Sequence, residues 1–277
     1  MIEKLIEPFQ YGFMLQALGI GALIAAVGAV LSCFLVLRGW SLMGDAISHA
    51  VLPGIVVAYI AGIPLAIGAF GSGLFCAVAT GWVKANSRIK EDAVMGVVFT
   101  GLFAFGLVLF SKTPSDLHLD HILFGNILGI STAQLRETCG ISLAVLGCIL
   151  ALRRDLALVC FDPSHARALG LSVKGFTYLL LILLSLTIVA AMKAVGLILV
   201  IAVLVTPGAT ALLLTRRFDR MLIVAVLTAV GSALLGVYLS YFLDGAPGAC
   251  IVLVQACAFV CALLFSPRHG LLRRRAV

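Results

Sequence analysis

The chain has 277 residues, of which 62% are apolar and only 11% are formally charged. Soluble domains are about one quarter charged, so so little charge cannot cover a water-soluble fold of this size. Disordered, nucleic-acid-binding and disulfide-scaffold classes fall on the same ground, and a membrane solvent remains. The net charge of +7 then marks loops on one side of a bilayer rather than an acidic partner.

One crossing takes about 20 apolar residues, so the apolar content allows about eight or nine spans. In chain order they are read at 13–37, 41–62, 65–83, 93–110, 132–152, 176–192, 195–215, 221–243 and 248–266. The segment before them lacks a basic n-region and a cleavage site, so the first apolar run is expected to stay in the protein. Arg38 lies in the first turn. Lys84, Arg88 and Lys90 fall in the break after the third span. Arg153, Arg154, Arg167 and Lys174 follow the fifth, Arg216, Arg217 and Arg220 the seventh, and Arg268 with Arg273–Arg275 the ninth. An even number of spans separates each group from the next. Fifteen of the 19 basic residues therefore share one side, the cytoplasmic one by the positive-inside rule. Lys4, Lys112, Arg136 and Lys193 fall on or near the other. The expected architecture is all-α, a polytopic bundle with its N-terminus out, forming a single transmembrane domain over 1–277. The weakest joint is 38–65; a re-entrant segment there would make the count eight. Small residues four apart, such as Gly28 and Ser32, allow close helix packing.

The second span carries the densest chemistry. Asp45 and His49 are four apart and share one helix face. A carboxylate within an apolar span costs several kcal/mol, and carboxylate plus imidazole suits Mn, Fe(II) or Zn. Pro53 cannot donate to the carbonyl of His49, which favours a bend or hinge one turn on. The plain alternative is that Asp45 caps a helix near Arg38 and His49 only packs. Two ligands are few for a divalent ion. A twofold dimer with the pair at its axis doubles them to four.

Asp116, His118, Asp120 and His121 crowd the outer segment after the fourth span. They suit a cation at the outer mouth, the docking of a partner protein, or a solvated loop. On the basic side, 153–175 reads as a short surface helix. Asp162-Pro163-Ser164 is a good helix start and Gly170 a good stop. Lys193 reads as a snorkelling side chain at a hairpin tip. Pro207, in Thr206-Pro207-Gly208, marks a hinge in the seventh span. The chain contains no GxxxxGK[ST] motif.

GDAISHAVLPG at 44–54, FGNILGIS at 124–131, DPSHARALG at 162–170 and VGLILVIAVLVTPGATA at 195–211 together resemble the ABC-3 family of metal-ion permeases. The likeness runs from about 13 to 266 and is closer to the manganese and chelated-iron branch than to the zinc branch. It implies an importer-type permease subunit in the bacterial cytoplasmic (inner) membrane, itself not an enzyme. It implies no permanently bound cofactor and a transported divalent metal ion: manganese or iron, with zinc admissible. The implied partners are a cytoplasmic ATP-binding cassette subunit, an extracytoplasmic metal-binding protein, and a second copy of the chain or a related permease. The family's intramembrane ligands match Asp45 and His49. The inside loop resembles the importer coupling loop, EAAxxxG: Ala166 and Gly170 fit it, Asp162 opens it, and Ser164 and His165 replace its Glu and first Ala. The rival reading is a stand-alone secondary metal-ion transporter or channel, which needs acidic relays deeper in other spans.

Overall fold

A computed structural model describes residues 7–113, 125 and 127–266. Among the described residues every regular element is helical. A 3₁₀ turn, Glu7–Gln10, leads into α1 (Gly12–Arg38), α2 (Met43–Ala61), α3 (Leu65–Asn86) and α4 (Glu91–Lys112). A second 3₁₀ turn, Ile127–Gly129, precedes α5 (Thr132–Ala151). Two short helices follow, α6 (Arg153–Phe161) and α7 (Pro163–Ala168), then α8 (Val173–Val195), α9 (Leu197–Leu214), α10 (Phe218–Leu243) and α11 (Pro247–Phe265). Nine helices among the described residues are long and apolar enough to cross a bilayer. The segment read as the weakest joint is a full helix, and the nine-span reading holds.

The helices owe their limits to local chemistry. Glycine in the left-handed region ends α1 at Gly39 (φ 77°) and α2 at Gly62 (φ 68°), where a side chain would be strained. Ser131 and Gln134 form a reciprocal capping box at the start of α5. The nine long helices are apolar nearly all round, as membrane spans are. α1, α2 and α8 are the most buried, and the core gathers around them through Phe34, Leu35, Ile47, Leu184 and Ile188.

Contacts confirm which ends lie together. The Arg38 guanidinium at the end of α1 reaches the Val159 carbonyl in α6. Arg153 opens α6 and pairs with Asp219 in the first turn of α10, at 3.6 Å. These ends form the basic side of the bundle. At the far side Lys193 does not snorkel alone. Its Nζ donates to both carboxylate oxygens of Glu137, at 3.0 and 3.3 Å, tying α8 to α5. Both partners are partly exposed, so the pair contributes about 0.2–1 kcal/mol.

Candidate intramembrane metal site

α2 begins deep inside the bundle. A side chain on Gly44 would meet Leu204, the eighth residue of the 18-residue α9. One on Gly73, the ninth residue of α3, would meet Ile47. The His49 ring stacks on Phe99, the ninth residue of α4, with centroids 6.0 Å apart. With a rise of 1.5 Å per residue, these three contacts lie about 12–20 Å from the basic ends of α3, α4 and α9, so the segment holding Asp45 and His49 sits at mid-length of its neighbours. That is near the middle of a hydrocarbon core about 30 Å thick.

At this depth Asp45 Oδ1 and His49 Nε2 lie 3.3 Å apart, and each side chain is about one third exposed. Leu42 rather than Asp45 is the N-cap, but Asp45 lies in the first turn of α2, where the helix N-terminus favours a carboxylate. The two groups face one another across one turn. Two ligand atoms about 2.1 Å from a metal ion and separated as these are would subtend about 104°. That lies between the octahedral and tetrahedral values. Phe103 meets the imidazole edge-on at 5.3 Å, so two aromatic rings of α4 fix its plane.

The backbone around the pair is pinned from outside the helix ladder. The Ser48 hydroxyl donates to the Gly44 carbonyl at 2.7 Å. Ser72 donates to Ala50 at 2.5 Å, and the Cys76 thiol to Ala46 at 3.9 Å, both from α3. Pro53 lies inside α2, so the His49 carbonyl has no ladder donor. Immediately beyond, Gly54 packs against the backbone of Gly68, and no Cβ fits at either position. α2 is thus held by close contact rather than by bulky side chains, in the manner of small-residue packing in lipid.

The other predicted hinge, Pro207, interrupts α9. Here Ser32 of α1, fully buried, accepts from the Gly208 amide at 3.0 Å and donates to the Val205 carbonyl at 3.1 Å. It ties α1 to the segment of α9 around the proline, a role the small-residue spacing of Gly28 and Ser32 left invisible. Asp162, Ala166 and Gly170 lie apart from the pair, at α7 on the basic side. Asp162 accepts from the amides of Ser164 and His165 at 2.9 and 3.0 Å and caps α7. The His165 amide is the first cause holding its carboxyl below the usual range. Ala166 is fully buried, and Gly170 (φ 82°) ends the turn. Burial pushes the nearby Cys160 thiol up, against the opposing Arg38 charge and hydrogen bond. Asp116, His118, Asp120 and His121 lie outside the described residues.

Among the described residues no third His, Cys, Asp or Glu completes a metal-holding group. What the fold and the pair define is a polytopic α-helical membrane protein with one carboxylate–imidazole couple at mid-depth. The chain belongs to the ABC 3 transport family, whose model matches residues 10–266. It is 58% identical over 267 residues to the chelated iron transport system membrane protein YfeD of Yersinia pestis, across 96% of this chain and 90% of that protein. It is 52% identical over 268 residues to the manganese transport system membrane protein MntB of Synechocystis, across 97% and 88%. The solved structure of PsaBC from Streptococcus pneumoniae in complex with Fab matches with a TM-score of 0.87 at 36% identity, over 99% of this chain and all of that one.

Proposed function

We propose that the chain is the permease subunit of an ATP-driven importer in the cytoplasmic membrane, that its cargo is manganese or iron, and that Asp45 and His49 are the cargo's ligands. The single observation that carries the site is the 3.3 Å carboxylate–imidazole contact near the middle of the bundle. A charged group held at that depth needs a function or a partner. The relatives named for iron and for manganese support the cargo class, and an Asp–His donor set accepts either ion.

In this reading an extracytoplasmic metal-binding protein delivers the ion to the far side. The ion exchanges water for the Asp45 carboxylate and the His49 imidazole. Ligands from two protomers, this chain and a second copy or a related permease, complete its shell. A separate cytoplasmic subunit binds and hydrolyses ATP and pushes on α7. The bundle then exposes the pair to the other side, as alternating access requires. Pro53 and Pro207 are the points where α2 and α9 give. Binding is moderate, because the ion must also leave.

The test is uptake of manganese and of iron into cells, compared between the wild type and Asp45→Asn or His49→Ala at matched membrane levels. Each substitution is expected to lower uptake roughly tenfold or more. Unchanged uptake in both variants removes the assignment.

A further inference from the structure

Arg38 joins parts of the molecule that its place in the first turn does not foretell. Its Nη1 donates to the Val159 carbonyl at 3.1 Å, and its Nη2 to the Thr177 hydroxyl of α8 at 2.9 Å. The same guanidinium lies over the Trp40 ring, 4.8 Å from its centroid.

The Val159 contact has a cause in the sequence. In an α-helix the carbonyl of residue 159 bonds to the amide of residue 163, but residue 163 is proline and has none. The proline that starts α7 therefore leaves a carbonyl without a ladder donor at the end of α6. Arg38 fills that place, at the joint between the two surface helices. On its other side the chain leads directly to the cargo ligands. Gly39 turns the backbone at φ 77°. Trp40 is buried at 8% exposure, its amide donates to Leu35, and its carbonyl accepts from the Met43 amide at 3.0 Å, the first residue of α2. Asp45 is two residues further.

We infer that Arg38 is a positioning residue for transport: it ties the α6–α7 joint to the start of α2, so that displacement of the surface helices moves Asp45 and His49. The inference rests on the reading of α7 as the surface on which the ATP-hydrolysing partner pushes. Arg38 itself touches neither cargo nor nucleotide. The fork geometry matters, because a guanidinium serves two acceptors and a ring face together where an ammonium is a single point charge.

The experiment uses the permease reconstituted in liposomes with its ATP-hydrolysing partner and its metal-binding protein, with manganese as cargo. Manganese ions taken up per ATP hydrolysed are measured for the wild type, Arg38→Gln and Arg38→Lys. Arg38→Gln is expected to lower that ratio at least about fivefold, the lower end of ordinary coupling between sites. The KM for manganese should stay within about twofold, because Asp45 and His49 are intact. A purely structural arginine would lower the amount of folded complex and leave the ratio alone. If Arg38→Gln does not assemble, Arg38→Lys carries the test in the same direction. An unchanged ratio in the assembled variants overturns the proposal. Ala166→Trp on α7 separates the two readings. If it lowers the ratio while the Arg38 variants do not, only the Arg38 link fails. If it leaves the ratio unchanged, α7 is not the pushed surface.

Discussion

Ser32 shows how one hydroxyl can brace a proline-bearing helix. Pro207 leaves the Val203 carbonyl of α9 without a ladder donor, and beside it the Ser32 oxygen accepts from the Gly208 amide and donates to the Val205 carbonyl. In Ser32→Ala a buried amide and a half-buried carbonyl lose their cross-helix partner. The expected cost is about 1–3 kcal/mol, read as a lower unfolding temperature in detergent. Gln255 is the opposite case. It is 3% exposed, and neither its amide nitrogen nor its oxygen has a hydrogen-bond partner among the described residues. The hydroxyl-bearing Thr206, Thr210, Thr228 and Ser232 surround it. A buried polar group without a partner costs about 1–3 kcal/mol, so Gln255→Met, similar in shape and apolar, is expected to raise the unfolding temperature. A fall instead would show that the amide is paired.

Two helices, α2 and α7, depend on single residues for their place. Gly54 and Gly68 let α2 and α3 touch backbone to backbone. Gly54→Ala puts a methyl into the Gly68 carbonyl, and the forced separation is expected to cost about 2–3 kcal/mol. Since Gly54 follows Pro53 directly, manganese uptake should fall with it, while Gly71→Ala on the open face of α3 should leave both measurements near wild type. α7 depends on its cap. The Asp162 carboxyl is held below its ordinary value by the His165 and Ser164 amides and by the His165 and Arg167 charges. A depressed folded pKa means the contribution is full above the unfolded value, about 3.9, and is lost as pH falls through the folded one. Exchange of the Ser164 and His165 amides should therefore stay protected at neutral pH and lose protection only in acid. In Asp162→Ala the protection should be absent throughout.

These elements also show what a sequence discloses. The nine spans were legible because the solvent writes them as apolar runs. The reading at 41–62 meets a helix at Met43–Ala61, and that at 195–215 one at Leu197–Leu214. The Asp45–His49 pair was legible because helix period alone brings residues four apart together, and the Asp162 cap for a similar local reason. The depth of the pair was not legible, since it depends on Gly44 meeting Leu204, far away in the chain. The Ser32 clamp and the Glu137–Lys193 pair were hidden for the same reason: each joins helices whose register only packing sets.

The whole molecule turns on a shortage of ligands. One chain offers one carboxylate and one imidazole at mid-depth, and among the described residues nothing else of that chemistry joins them. A manganese or iron ion takes more donors than two, and inside a bilayer the remainder cannot come freely from bulk water. In the proposed dimer of two such chains, a twofold axis passing by the pair would supply two oxygens and two nitrogens without any new residue. Each side chain is about one third exposed in the single chain, so both have an open side from which a partner's copies can close the shell. This fixes a stoichiometry. The purified permease, equilibrated with manganese and separated from free ion, should hold about one ion per two chains by elemental analysis, and native mass spectrometry should find that ion on dimers. Asp45→Asn should empty the dimer of metal without dissociating it, as expected where helix packing joins protomers in lipid. One ion per chain, retained on monomers, would mean that a single protomer completes the shell and that the shared site is wrong.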